Sequence, residues 1–317
     1  MEKIYDDKQL TVTQERVALI LRSYNIHDFS YEVIQGGLEN TSLRITAPDK
    51  KYVLRIHRQG KKIDEHLSFE LAFEDYLRKK SIPIPHVHPN AEGKEFTVIE
   101  FDGFRWLIIL MDFAEGESVT EHYTRELIDD LAPIQARMHL LGIEYAKKYP
   151  GEKVWTELTE MFSERIKDTS VYDKELAEFI ERARSFRYLF DPRLPHGWNH
   201  LDLDLIGNVL VKDNKVSAII DFDDLDYSPA IVCFGYSLWA VFFADGEDMM
   251  RQYLREYTKV RPLNEKELDA LPHIMLFRNY AIGMIELVLW KRLKNMEKFM
   301  KLEREILELP VKTSKSL

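Results

Sequence analysis

Cysteine is almost absent: Cys233 is the single one in 317 residues. No intrachain disulfide can form, which excludes a small secreted scaffold stapled by cystines. Cys233 lies in the apolar stretch Ala230-Ile231-Val232-Cys233-Phe234 and reads as an inert core thiol, since reactive thiols favour exposed, electropositive sites. Basic charge is in deficit, with 44 Lys and Arg against 54 Asp and Glu and a net charge of −10. That balance opposes a broad nucleic-acid-binding role and is compatible with cationic small substrates, although most acidic proteins are simply soluble. Long hydrophobic runs are scarce as well. Tyr227 to Ala244 carries no formal charge for 18 residues, but it contains Pro229 and Gly235 and is flanked by Asp226 and Asp245. With no basic flank to orient a membrane span, it is expected to be a buried core helix. Met1 to Lys8 is charged and lacks the apolar centre of a secretory leader. The expectation is a cytoplasmic protein with no membrane, nucleic-acid or obligate protein partner. No repeat or low-complexity tract is present.

What the chain does have is material for a core: 45% hydrophobic and 12% aromatic residues argue against disorder. Its length predicts two lobes or domains. Thr11 to Tyr24 has the spacing of an amphipathic helix, with Thr11 and Gln14 as a capping box. The period then changes. Strands are expected at Ser30 to Ile34, Thr41 to Thr46 and Lys51 to His57, with Gly36-Gly37 and Pro48-Asp49-Lys50 as turns. A helix over Leu67 to Lys79 is broken by Ser81-Ile82-Pro83-Ile84-Pro85. Two more strands follow at Phe96 to Phe101 and Trp106 to Met111, the second apolar enough to be central.

Beyond Glu117 the pattern turns helical. Leu127 to Leu141, Met161 to Ile166 and Leu176 to Phe186 are expected helices, with Pro133 a kink or a later start in the first. A hairpin, Val209 to Val211 and Val216 to Phe222, turns at Asp213-Asn214-Lys215. The remainder, Ser237 to Leu309, reads mostly as helix, and Val311 to Leu317 as a frayed tail.

The densest polar cluster is His196-Gly197-Trp198-Asn199-His200-Leu201-Asp202-Leu203-Asp204-Leu205-Ile206-Gly207-Asn208, followed by the hairpin and Asp221-Phe222. Carboxylates and an amide between apolar strands are costly unless paired or bound to a cation. Such oxygen donors suit Mg²⁺, which keeps waters and phosphate oxygens in its shell. Either an Asp that accepts a hydroxyl proton or a set of turn-capping carboxylates fits the loop taken alone. In the first half, Gly36-Gly37-Leu38-Glu39-Asn40 would let backbone amides approach phosphates, Arg55 places a cation near that turn, and Glu70 follows on the next helix.

These elements, in this order, resemble the aminoglycoside phosphotransferase and choline-kinase-like family of small-molecule kinases, which includes type II homoserine kinases. The resemblance runs from about Tyr31 to Leu293 and includes Tyr52-Val53-Leu54-Arg55-Ile56, Phe69-Glu70-Leu71-Ala72-Phe73, Ile82-Pro83-Ile84-Pro85, Ala136-Arg137-Met138-His139 and Ile220-Asp221-Phe222. It implies an α+β, bilobal protein-kinase-like fold. A small antiparallel-sheet, nucleotide-binding lobe would span residues 1–111, a hinge 112–117, and a larger, mainly helical lobe with the catalytic loop and acceptor site 118–317. The implied reaction is Mg²⁺-dependent transfer of the γ-phosphoryl group of ATP or GTP to a hydroxyl of an aminoglycoside, amino alcohol or sugar-like acceptor.

Carried over by position, Asp202 in His200-Leu201-Asp202 would be the catalytic base, with Asp204 the competitor. Asn208 and Asp221 would hold Mg²⁺. Gly36, Gly37, Asn40 and Arg55 would meet the phosphates, Glu70 would orient Arg55, and Asp112 and Ala114 would meet the base. The chain departs from the family in three places. Five residues rather than four separate Asp202 from Asn208, Arg55 replaces the usual Lys, and Phe234-Gly235-Tyr236 stands where a helix often starts with Asp. These departures keep a non-catalytic nucleotide-binding or scaffold member as the alternative. A metal-dependent phosphohydrolase ranks below it, since it leaves the β-rich half without a role. His196 and His200 lack a zinc motif, and His86 and His88 read as exposed loop residues. Trp239, Phe242, Phe243, Tyr280 and Trp290 are mostly expected in the core. Arg55 to Lys62 reads as a solvated strand end.

Overall fold

The computed structural model describes residues 10–34, 40–60, 62–119, 121–151, 169–187, 191–203, 207–288, 291 and 293–309. The chain divides into two compact units. The first is Met1–Gly116 with Ser217–Ile220, and the second is Glu117–Val216 with Asp221–Leu317.

The first unit is built on an antiparallel sheet. Its strands are β1 (Ser30–Val33), β2 (Thr41–Thr46), β3 (Lys51–Ile56), β4 (Val87–His88), β5 (Thr97–Phe101) and β6 (Phe104–Asp112). The path runs β1-β2-β3-β6-β4, and β5 also pairs with β6. Strand β6 explains its own composition. Trp106, Ile108 and Leu110 point to one face, where they join Leu43, Ile45, Leu54 and Ile56 beneath helix α1 (Gln14–Arg22). Leu107 and Ile109 point to the other face, against Leu67 and Leu71 of helix α2 (Asp64–Lys79). A strand covered by a helix on each side loses the polar alternation of a half-exposed strand and becomes apolar throughout. Helix α1 begins later than its periodicity suggests. Thr13, not Thr11, accepts from the Arg16 N–H at 3.3 Å as the N-cap.

The second unit carries α3 (Arg125–Ala146), α4 (Lys174–Ser185), α5 (Ala230–Asp245), α6 (Glu247–Val260), α7 (Glu265–Val288) and α8 (Met296–Glu308). Pro133 lies inside α3 without ending it. The expected helix at 161–166 falls outside the described residues. Short strands β7 (Glu117–Ser118) and β9 (Val209–Lys212) pair antiparallel, and Asp213 and Asn214 turn the chain into β10 (Lys215–Ile219) with φ of 53° and 58°. Two left-handed residues are what a tight hairpin turn demands, and Asp-Asn adopts them at low cost. The polar segment expected to be a loop is partly a strand, β8 (His196–His200), which pairs with β11 (Leu225–Pro229).

Glycine sets how closely this strand approaches its helix. A Cβ on Gly142 of α3 would lie 2.1 Å from the Trp198 carbonyl oxygen. Helix α5 is the charge-free stretch foreseen as core, and Ala230 through Phe242 are all buried. No helix among the described residues is long and apolar enough to cross a membrane. Where α5 crosses α7, a Cβ on Gly235 would lie 2.4 Å from Ile274 Cγ2, so the absent side chain is what lets the helices meet.

Candidate active site

The first unit supplies one group of the foreseen residues. In the β3–β6 register Arg55 stands opposite Ile109, which places it on the α2 side of the sheet. Glu70 lies on α2 and is 5% exposed. Its Oε2 accepts from Lys62 Nζ in an ion pair whose side chains are 5% and 7% exposed. Lys62 is therefore a buried cation and no part of a solvated strand end. Removing two charges from water is tolerable here because they neutralise each other. Asn40, at the base of the Gly-Gly segment, accepts the Arg58 N–H on Oδ1 at 3.0 Å. That bond ties the start of β2 to the end of β3. Gly36 and Gly37 lie outside the described residues.

At the end of β6 the Asp112 N–H donates to the His86 carbonyl at 2.9 Å. Its carboxylate meets Lys50 Nζ and His88 Nε2, each at 2.5 Å. Partial burial pushes this carboxyl up, but the two hydrogen bonds outweigh burial and hold it below the usual carboxylate range. His86 and His88 are half-buried at β4, their rings 4.9 Å apart, which corrects their reading as exposed loop residues. A two-residue strand between prolines leaves no periodicity to read. Ala114 follows Asp112 in irregular backbone.

The second unit supplies the other group. Strand β8 ends at His200, and the chain turns at once through Asp202. The Asp202 N–H donates to His200 Nδ1 at 3.2 Å. The Asn208 Nδ2 amide donates to the Asp202 carbonyl at 2.9 Å, so the side chain of one foreseen residue closes a loop onto the backbone of another. Gly207, just before Asn208, has φ of +90° and makes the bend that presents this amide. Asp204 lies outside the described residues.

Asp221 has φ of 67° and ψ of 70°, an uncommon left-handed backbone for an aspartate, and its Oδ1 accepts the Asp223 N–H at 3.4 Å. Phe222 is 2% exposed and meets the His200 ring edge-on at 4.6 Å. Asp221 is thereby anchored to the strand that leads into Asp202. Beneath them Cys233 donates its thiol hydrogen to the His200 carbonyl at 2.7 Å, so the core thiol has a structural partner. His196 instead meets the Leu194 carbonyl through Nδ1 at 2.7 Å.

Arg278 was not foreseen. It sits on α7, one turn beyond Ile274, with its guanidinium 4.6 Å from the Tyr236 ring centroid and Nη2 3.3 Å from Asp202 Oδ1. The Gly235–Ile274 approach brings these helices close enough for that contact. One signal was legible: Arg278 is a lone cation in the run Ile274-Met275-Leu276-Phe277-Arg278, where an apolar residue would continue the pattern. Of the aromatic residues expected in the core, Trp239, Phe242 and Tyr280 are buried, Phe243 is half-buried, and Trp290 lies outside the described residues.

Amide and carboxylate oxygens are donors that suit a hard divalent cation. Asn208 offers an amide oxygen and Asp221 a carboxylate, while no group of three or more His, Cys, Asp or Glu among the described residues could hold a metal by itself. An ion that keeps waters and phosphate oxygens needs no such group.

The family model described as "Phosphotransferase enzyme family" matches residues 30–270. A homoserine kinase of Parvibaculum lavamentivorans is 27% identical over 288 residues, covering 86% of this chain and 84% of that one. Among solved structures, a microcompartment-associated aminopropanol kinase superposes with a TM-score of 0.74 at 18% identity, covering 94% of this chain and 99% of that one. An amicoumacin kinase in complex with AMP-PNP, Ca²⁺ and Ami superposes with a TM-score of 0.68 at 20% identity, covering 94% of this chain and 93% of that one. The α+β, protein-kinase-like fold is thus shared with kinases of small molecules, and the chain belongs to the phosphotransferase enzyme family as a small-molecule kinase.

Proposed function

We propose that this kinase transfers the γ-phosphoryl group of ATP or GTP to the hydroxyl of a small amino-bearing acceptor, with homoserine or a close relative the first acceptor to test. The observation that carries the reading is the Asp202–Asn208 closure, within a chain whose family is phosphotransferase. Asp202 serves as the base. The acceptor hydroxyl gives its proton to the Asp202 carboxylate, its oxygen bonds to the γ-phosphorus, and the bond from that phosphorus to the bridging β-oxygen breaks, leaving a nucleoside diphosphate and a phosphate ester.

Asn208 and Asp221 would hold Mg²⁺, which when bound neutralises charge on the phosphates. Arg55 holds phosphate oxygens, and Glu70, shared with Lys62, orients the cationic side of the site. Gly36, Gly37 and Asn40 would meet the phosphates. The Asp112 N–H is already committed to His86, so base contacts fall to the Asp112 carbonyl and the backbone of Ala114. Most of the rate enhancement would come from alignment and charge neutralisation. The relatives named homoserine kinase favour a hydroxy amino acid, and the aminopropanol kinase neighbour keeps amino alcohols in the test.

The test is thermal unfolding with ATP or GTP, with and without Mg²⁺, followed by a coupled assay over acceptors. Nucleotide at 100 times its dissociation constant should stabilise by about 2.7 kcal/mol. A Mg²⁺-dependent shift with acceptor-dependent diphosphate release supports the reading. A shift without turnover on any acceptor makes the chain a non-catalytic nucleotide binder.

A further inference from the structure

We infer that Gln135 is a positioning residue for phosphoryl transfer, its side-chain amide aiming two donors of α5 at the backbone around Asp202. The inference rests on Asp202 being the base proposed above, and it names what holds that base in place. Cys233 and Ser237 are four residues apart on α5 and so share a face. The Cys233 thiol donates to the His200 carbonyl at 2.7 Å, and the Ser237 hydroxyl donates to the Leu203 carbonyl at 3.2 Å. Those carbonyls lie on either side of Asp202 in the chain. One face of a buried helix therefore grips the loop just before the base and just after it.

A hydroxyl has one proton, and its direction depends on what fills the oxygen's lone pairs. Gln135, on α3 and fully buried, fills one on Ser237: its Nε2 donates to Ser237 Oγ at 2.7 Å. The same nitrogen stands 3.6 Å from Cys233 Sγ. With an N–H entering from the α3 side, the Ser237 proton has two acceptors, the Leu203 carbonyl and, at 3.4 Å, the Cys233 carbonyl of its own helix. The loop carbonyl is the nearer. The amide is held in turn by Tyr253 of α6, whose hydroxyl donates to Gln135 Oε1 at 2.9 Å. Burial pushes that phenol well above its ordinary value of 10, so it keeps the proton it donates. The chain of donors thus runs one way, from Tyr253 through Gln135 and Ser237 to Leu203, and every member is buried.

Stability does not call for such a chain. Apolar side chains of the same shape would fill this core about as well, and a polar chain is costly once any member loses its partner. What the chain adds is a fixed position. Residues 201–203 belong to no helix or strand that would hold them. Yet the base must stand within hydrogen-bond reach of the acceptor hydroxyl, and a misplacement of about 1 Å can cost about a hundred-fold in rate.

The measurement is kcat and the nucleotide KM, with L-homoserine and with 3-amino-1-propanol as acceptors, well below the thermal midpoint of each protein. Wild type is compared with Gln135→Met, Ser237→Ala, Cys233→Ala and Cys233→Ser. Hydrogen exchange of the peptide spanning His200 to Leu203 is read on the same proteins by mass spectrometry. Gln135→Met and Ser237→Ala should lower kcat by about ten- to a hundred-fold, leave the nucleotide KM within a few-fold, and speed exchange in that peptide by about ten-fold or more. Ser237→Ala carries the test if Gln135→Met does not fold. Cys233→Ser keeps a donor and should stay near wild type where Cys233→Ala falls. A lowered midpoint with unchanged kcat means that the chain only packs the core, and it overturns the inference. So does a Cys233→Ser variant no better than Cys233→Ala. If neither acceptor is turned over, exchange decides alone, and wild-type protection in Gln135→Met and Ser237→Ala overturns the inference. Full activity in Asp202→Asn would instead remove the base reading, a result seen apart from anything these variants do.

Discussion

The backbone N–H of Asp202 donates to Nδ1 of His200 across 3.2 Å. A ring nitrogen that accepts cannot carry a proton, so the neutral imidazole is held as the Nε2–H tautomer. The turn leading out of β8 is held through main chain and ring, while the Asp202 carboxylate meets Arg278 Nη2 at 3.3 Å. Replacing that carboxylate by an amide leaves the backbone bond of the turn in place.

Asp202→Asn should therefore fold as the wild type does and fail at chemistry. The expected loss in kcat is about 10²- to 10⁴-fold, with Mg²⁺-nucleotide affinity within a few-fold. Steady-state kinetics and calorimetric nucleotide binding check both halves. Full activity in this variant, with loss in Asp204→Asn, would move the base to Asp204.

At Asp221 the left-handed backbone shapes the choice of variant. Asparagine tolerates that conformation, so Asp221→Asn removes charge without adding strain. Its thermal midpoint without ligand should match the wild type within a degree or two, while the Mg²⁺-dependent part of the nucleotide shift disappears. An unchanged Mg²⁺ requirement would remove Asp221 from the metal site.

The buried Lys62–Glu70 pair gives a stability prediction. Glu70→Gln leaves a buried ammonium short of its counter-charge and should cost about 3 kcal/mol in urea unfolding. Lys62→Met combined with Glu70→Met should recover much of that loss. A double-mutant coupling near zero would mean that the pair contributes nothing to the fold.

Gly235 faces Ile274 with no room for a methyl group. Gly235→Ala should destabilise by about 1–3 kcal/mol, and adding Ile274→Ala should return part of it. If Gly235→Ala is neutral in denaturant titration, the two helices are not held at that spacing.

His139 is 2% exposed, its Nδ1 2.6 Å from the Tyr257 hydroxyl. Burial, helped by the nearby Arg261 charge, pushes its pKa well below the ordinary histidine value of 6.5. The unfolded chain binds a proton at this residue below about pH 6.5 and the folded chain does not. Its contribution to stability is therefore complete above that pH and is lost as the pH falls, by up to about 1.4 kcal/mol per unit. Between pH 6 and 5, His139→Asn should show a visibly shallower fall in unfolding free energy than wild type.

The sequence displayed the sheet of the first unit because burial on both faces of β6 and the alternation in β2 leave regular patterns. Strands β8 and β11 were hidden. His196-Gly197-Trp198-Asn199-His200 has no alternation, because its burial comes from a helix brought close by Gly142, a relation between distant parts of the chain. In the proposed site, Asp202, Asn208 and Asp221 could be named because a short spacing and a following hairpin carry the pattern of the family the chain resembles. Lys62 could not, since its burial depends on meeting Glu70 across a turn. Arg278 left only the trace of one cation in an apolar helix, and its partner lies 76 residues away in sequence.

The Cys233 thiol, sealed under the His200 carbonyl, has a practical corollary. A chain whose lone native sulfhydryl is shielded from reagents behaves, for labelling, as though it had none. One engineered surface cysteine in each unit would then accept a pair of fluorophores without first deleting Cys233, and their energy transfer would report directly how the spacing of the two units responds to nucleotide.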